Sequence, residues 1–190
     1  ESPEQIVDLV HYFSRQGVDF MRGGVYRAGT YPPSKPGMQA TLLETWKEEA
    51  KKINLKIVVE VVDLSLLDYV EKYADALQVG ARQMQNYGLL NAVSRFNGPV
   101  ILKRNMGANL DEFLGAAEYL LRGRCKPILI ERGSSTFMQH VRWDLSISLI
   151  AEVKRRTGLP ILVDASHGTG VRELVAPMVL AGIAAGADGM

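Results

Sequence analysis

At 190 residues the chain is long enough for one domain with a real core, and 47% apolar with 23% charged residues is globular composition, neither disordered nor fibrous. Its 22 basic and 21 acidic residues leave a net charge of +1, which removes any bulk electrostatic case for nucleic acid or an anionic membrane; an anion site must be local. A single cysteine, Cys125, excludes an intramolecular disulfide and a cysteine-rich zinc site and fits a reducing compartment, so the expected location is the cytoplasm. The longest apolar stretch, 174–187, is too short to span a bilayer and contains Pro177.

The first helix is signalled by Ser2 as cap, Pro3 at the first helical position and Gln5 as the capping-box partner, with Gly17 past its end. An apolar run, 18–24, ends in Arg22 and two glycines, and a proline-rich loop follows over 25–37. Thr41 and Glu44 form a second capping box for a helix over roughly 41–53. The β-branched run 56–63 is continuous rather than alternating, which predicts a strand buried on both faces. The alternation then continues: a helix near 65–74, a strand over 76–81, a helix near 86–96, and the strand "PVILKR" at 99–104. Asn109 and Glu112 start a helix that ends at Gly123, before "KPILIER" at 126–132. A helix over about 143–157 ends at Gly158, before "LPILVDASH" at 159–167. A last helix over roughly 171–185 leads to "GADGM", which reads as the entry to another strand. No linker or composition break interrupts the chain, so a single domain, 1–190, is expected.

Strands that are apolar throughout need cover on both faces, so the expected class is α/β with a parallel sheet and helices outside. A doubly wound dinucleotide binder should carry a glycine fingerprint after its first strand, and none appears. A (β/α)8 barrel instead places functional groups at the carboxyl ends of many strands. That is where Arg22, Glu60, Asp63, Arg82, Lys103, Arg104, Glu131, Arg132, Asp164 and His167 fall.

Gathered at one mouth, the cations Arg22, Arg82, Lys103, Arg104 and Arg132 repel one another unless an anion neutralises them. Any one of them could instead pair with Glu60, Glu131 or Asp164 at the rim; all five together call for a multiply charged anion. His167, after a buried strand and near Asp164, is the acid–base or metal candidate, although no HxH or HExxH spacing supports a metal. His11, His140, Trp46 and Trp143 read as packing or surface residues, and Cys125 lies at the wrong end of its strand to be a ligand. "HGTG" at 167–170 could cradle phosphate at a helix amino terminus.

Five stretches carry a resemblance: "MRGGVYRAGTYPPSKPG" (21–37), "QVGARQMQNYGLL" (78–90), "VILKRNMG" (100–107), "ILIERGSSTF" (128–137) and "ILVDASHGTG" (161–170). In that order they resemble the metal-dependent 3-deoxy-D-arabino-heptulosonate 7-phosphate (DAHP) synthases of the smaller bacterial and archaeal type. The resemblance covers essentially the whole chain, and the sister 3-deoxy-octulosonate 8-phosphate synthases share the fold. It implies a transferase that condenses phosphoenolpyruvate with erythrose 4-phosphate, opening the shikimate pathway to aromatic amino acids. By the same resemblance Arg82, Lys103 and Arg132 hold phosphoenolpyruvate, Arg22 completes that pocket and Lys103 is also the proton donor, while Arg104 is a substrate-binding candidate from the strand-end cluster alone. His167 matches the metal-binding, catalytic histidine for a divalent ion of the Mn, Fe, Co or Zn class. The expected partners are phosphoenolpyruvate and an aldose phosphate, with a homo-oligomer at full length and neither nucleic acid nor membrane.

Two departures qualify this. The family's acceptor loop, Lys-Pro-Arg-Thr, reads Arg27-Ala28-Gly29-Thr30 here, leaving Arg27 and Thr30 as candidate contacts and opening the choice of acceptor. The family's metal-binding cysteine, glutamate and aspartate fall before Glu1 and beyond Met190. The resemblance therefore implies a piece of a longer enzyme, without barrel strand one and most of strand eight. Rival readings are a synthase with another aldose acceptor, a Schiff-base aldolase using Lys103, and a non-catalytic fragment that binds sugar phosphates.

Overall fold

The structure, a computed structural model, describes residues 2–24 and 40–190. The chain divides into two compact units, Glu1–Gln78 and Val79–Met190.

In the first unit, α1 (Pro3–Arg15) starts as its sequence predicts: Ser2 Oγ accepts from the Gln5 amide at 3.3 Å. Strand β1 (Phe20–Gly23) precedes α2 (Ala40–Lys52) and β2 (Lys56–Val61). β1 and β2 pair in parallel from Phe20↔Lys56 to Gly23↔Val59. The helix expected over 65–74 is shorter, because Asp63 accepts from the Ser65 amide and starts a 3-10 turn over Leu64–Leu66 before the single-turn α3 (Leu67–Glu71). Asp75 then ties the unit together: its Oδ2 accepts from the Ile57 amide at 2.9 Å and pairs with Lys47 Nζ at 2.8 Å. Strand β3 (Ala76–Val79), buried at every position, follows where one unit gives way to the next.

The second unit repeats a strand–helix step. α4 (Tyr87–Val93) is followed by β4 (Pro99–Lys103), α5 (Leu110–Leu121) and β5 (Lys126–Glu131). After these come α6 (Ile147–Thr157), β6 (Ile161–Val163), α7 (Ala165–Thr169) and α8 (Arg172–Ala184). The capping box of α5 forms in full, with Asn109 and Glu112 exchanging 2.9 Å bonds between side chain and backbone. β4 pairs in parallel with β5, and β5 with β6. Val100, Leu102, Leu129, Ile161 and Val163 from the strands are buried with Phe113, Leu120, Ile150 and Val153 from the helices, as continuous apolar strands require. α8 lies against β6 through Gly182, where a Cβ would come within 2.8–2.9 Å of the Val163 side chain. Beyond α8 the expected strand entry is present: Gly189 bridges Leu162 in parallel, and its carbonyl accepts from the Val163 amide at 3.0 Å.

Two expectations change in this unit. The helix predicted from 143 begins only at Ile147, and residues 133–146 form a strap closed by an antiparallel Ser134–Asp144 bridge. Gly133 opens the strap at φ +97°, where a Cβ would sit 2.5 Å from that of Trp143. "HGTG" is not a loop at a helix amino terminus: His167, Gly168 and Thr169 lie within α7, and Gly170 caps its carboxyl end.

Asp75 offers a test of the first unit. Losing an acceptor that serves a half-buried amide and an ammonium costs about 1–3 kcal/mol, so Asp75→Ala should lower the denaturation midpoint by that amount. Asp75→Asn, which keeps an acceptor, should lose less; a midpoint unchanged in both would refute the tie.

Candidate active site

The carboxyl ends of β4, β5 and β6 deliver ionisable groups to one place because each strand spends its length on burial. Lys103 and Arg104 end β4, Glu131 and Arg132 end β5, and Asp164 and His167 follow β6. Four of these are almost fully buried: Lys103 is 8% exposed, Arg104 1%, Glu131 0% and Arg132 6%.

Side chains alternate along an extended chain, so neighbouring residues face opposite ways. Arg104 and Glu131 face each other in a bidentate pair, Nε to Oε2 at 2.5 Å and Nη2 to Oε1 at 2.8 Å. Arg104 also donates to the Ala108 carbonyl and to Ser134 Oγ, each at 2.8 Å. Four of its five N–H donors are thus engaged inside the protein.

Lys103 turns instead to Asp164, with Nζ to Oδ2 at 3.0 Å. The same oxygen meets His167 Nδ1 at 2.7 Å, while Oδ1 accepts from the His167 amide at 3.1 Å. Burial alone would raise the Asp164 pKa; the His167 hydrogen bond and the Lys103 charge outweigh it and hold the carboxyl well below its ordinary range. Asp164 is therefore an anion shared between the lysine and the histidine. With its proton on Nδ1, His167 keeps Nε2 as the free donor atom for a metal ion.

Arg132 has no such anchor. Among the described residues, its Nε and Nη1 are buried without a hydrogen-bond partner. Burial lowers its pKa, and the nearby Arg142 and Arg82 lower it further against the pull of Asp164 and Glu131. A buried guanidinium facing other cations, with donors unspent, is arranged to receive an anion. Arg82, itself exposed, lies on the 3-10 turn Ala81–Gln83.

Arg22 belongs to the first unit, half-exposed and 3.5 Å from Glu60. Arg27 and Thr30 lie outside the described residues. Arg142 was missed as a charge near the site because its segment reads as helix. The polar run from Gly133 to Thr136, rich in turn formers, is the signal that argues against a helix there. Its amide binds the Thr169 carbonyl at 2.8 Å, and its guanidinium lies 5.8 Å from the centre of the Trp143 ring. As a metal centre the described residues fall short: His167 is one oriented donor, and among them no group of three or more histidine, cysteine, aspartate or glutamate side chains could hold an ion.

The DAHP synthetase I family matches residues 1–190. A phospho-2-dehydro-3-deoxyheptonate aldolase of Thermotoga maritima is 41% identical over 100% of this chain and 56% of that protein. A 2-dehydro-3-deoxyphosphooctonate aldolase of Syntrophotalea carbinolica is 29% identical over 82% of this chain and 59% of its own length. The crystal structure of the Thermotoga maritima aldolase (DAHP synthase) superposes with a TM-score of 0.92 at 40% identity, covering 100% of this chain and 56% of that one. A truncated form of the 3-deoxy-D-arabino-heptulosonate 7-phosphate synthase from the same organism gives 0.87 at 39% identity, covering 100% and 69%. The fold is thus part of a (β/α)8 barrel, six parallel strands alternating with helices, and the chain spans little more than half the length of the first two relatives.

The unspent donors of Arg132 separate stability from binding. Arg132→Met removes a buried cation whose unpaired groups cost about 1–3 kcal/mol, so the ligand-free protein should melt at the same temperature or higher. Protection against melting by inorganic phosphate should vanish in the same variant. A clear drop in melting temperature with phosphate protection intact would show that Arg132 is structural.

Proposed function

The chain belongs to the DAHP synthetase I family, and from that premise we propose that the protein condenses phosphoenolpyruvate with erythrose 4-phosphate. Water is consumed, and 3-deoxy-D-arabino-heptulosonate 7-phosphate and inorganic phosphate are released, opening aromatic biosynthesis. The observation that carries this reading is the buried guanidinium of Arg132, whose Nε and Nη1 have no hydrogen-bond partner among the described residues, beside the Lys103–Asp164–His167 chain.

Arg132, with Arg82, holds the phosphate and carboxylate of phosphoenolpyruvate, since guanidinium forks match both groups, and Arg22 is assigned to the same anion on sequence alone. Lys103 spans binding and chemistry. Asp164 keeps its ammonium aimed, so Nζ both attracts the anion and donates a proton to the aldehyde oxygen as the new carbon–carbon bond forms. Carbon 3 of phosphoenolpyruvate forms that bond, water adds at carbon 2, and phosphate leaves from the same carbon. The proton released by the water restores Lys103. His167 is assigned as one ligand of a divalent ion, which when bound would polarise the aldehyde oxygen. Arg27 and Thr30 are assigned to the acceptor phosphate on sequence alone.

A second acceptor is favoured by one observation, the Arg27-Ala28-Gly29-Thr30 loop, in which glycine stands where the family carries a phosphate-binding arginine. Phosphate release from phosphoenolpyruvate with erythrose 4-phosphate, arabinose 5-phosphate and unphosphorylated aldoses decides between them. Release with none of these, in metal-loaded full-length protein, would overturn the condensation reading.

Two substitutions test the roles. Arg82→Ala should raise the KM for phosphoenolpyruvate about 10- to 100-fold, as expected for a lost charge-assisted bond of roughly 1.5–3 kcal/mol, and leave acceptor KM nearly unchanged. Equal losses for both substrates would remove Arg82 from the phosphoenolpyruvate site. Lys103→Met should lower kcat by about 10²- to 10⁴-fold, the usual contribution of a general acid. Near-normal kcat at saturating phosphoenolpyruvate would reduce Lys103 to a binding residue.

A further inference from the structure

We propose that the buried Arg104–Glu131 pair is a positioning unit that sets how Lys103 and Arg132 face a bound anion, and this rests on the anion-pocket reading above. Each partner adjoins one of those two residues in sequence, on the neighbouring strands β4 and β5. The Arg104 amide bonds the Ile130 carbonyl at 3.0 Å, so the strand pairing continues past Lys103 to the pair itself.

The pair gathers more than two strand ends. Glu131 Oε1 accepts from Arg104 Nη2 at 2.8 Å, from the Gly133 amide at 2.9 Å and from the Ser146 amide at 3.2 Å. Gly133 and Ser146 are the two ends of the strap that carries Arg142. Arg104 reaches the Ala108 carbonyl in the turn after β4 and Ser134 Oγ at the start of the strap. One ion pair therefore fixes β4, its following turn, β5 and both feet of the strap.

Stability alone does not call for ions in this place. Apolar residues of similar volume often replace a buried ion pair at no cost, because two desolvation penalties disappear together with the attraction. What such residues cannot copy is the planar fork, which holds two strand ends at one separation and one rotation. Arg132, one residue beyond Glu131, has no protein hydrogen bond on Nε or Nη1 to steer it, so its placement depends on its backbone. Errors of about 1 Å in placement cost up to about 100-fold in function, which is the scale this unit controls.

The test uses the full-length protein and the double substitution Arg104→Met with Glu131→Gln. Both charges leave together, and the glutamine oxygen still accepts from Gly133 and Ser146. Thermal unfolding should stay within a few degrees of the parent, while dissociation constants for inorganic phosphate and phosphoenolpyruvate rise about 10- to 100-fold. Turnover at saturating phosphoenolpyruvate should fall far less than kcat/KM. Arg104→Lys, which keeps the charge and loses the fork, should give an intermediate loss of affinity and serves as the deciding variant if the double substitution does not fold. Parent-like anion affinity in whichever variant is folded overturns the proposal, as does an affinity loss that only follows a loss of melting temperature. If the parent binds phosphate but neither binds nor consumes phosphoenolpyruvate, the proposed reaction falls and the pair is judged on phosphate. A parent that binds neither anion overturns both.

Discussion

A parallel strand covered on both faces has no position for a charge until it ends, and this constraint organises the second unit. Past the exposed Lys126 that opens β5, the strands β4, β5 and β6 are apolar until each gives out: Lys103, then Glu131, then Asp164. Parallel strands of one sheet stop along one edge, so residues far apart in sequence, even two strands apart, become partners without a long loop to bring them there. Lys103 and Asp164 are 61 positions apart and bonded at 3.0 Å for this reason.

The same constraint sorts the charges. Strand alternation sends Arg104 and Glu131 to one side and Lys103 and Arg132 to the other, so two adjacent cations do different work. Arg104 is neutralised inside the protein by a dedicated carboxylate. Lys103 shares Asp164 with His167, and Arg132 has a carboxylate only at a distance. Positive charge is thus graded from fully matched to unmatched over neighbouring positions. A ligand bearing negative charge completes the series; a neutral one would leave Arg132 buried and unsatisfied.

Much of this was legible in the sequence where local physics decides it. The run "PVILK", bounded by a glycine and two cations, could only be a buried strand, and the Asn109–Glu112 box announced α5 to the residue. Where tertiary contacts decide, the reading failed. Trp143 looks like the start of a helix, yet its amide goes to the Gly168 carbonyl and its Cβ is wedged beside Gly133, so helix geometry begins only at Ile147. Glycines in "HGTG" suggest a loop, but Asp164 captures the His167 amide and winds the segment into α7. The Arg104–Glu131 pair was also out of reach, since a sequence does not show which of two neighbouring cations will find a carboxylate across the strand.

The contact between α8 and β6 reaches further than packing. With Val163 carbons 2.8–2.9 Å from where a Cβ at Gly182 would stand, no side chain can be added at 182 while Val163 keeps its shape and place. Val163 is the residue before Asp164, so any backbone shift that relieved the crowding would be passed to the carboxylate that Lys103 and His167 share. The two positions are therefore bound together in descent. A lineage can enlarge residue 182 only after residue 163 has become smaller, and the order of those substitutions matters.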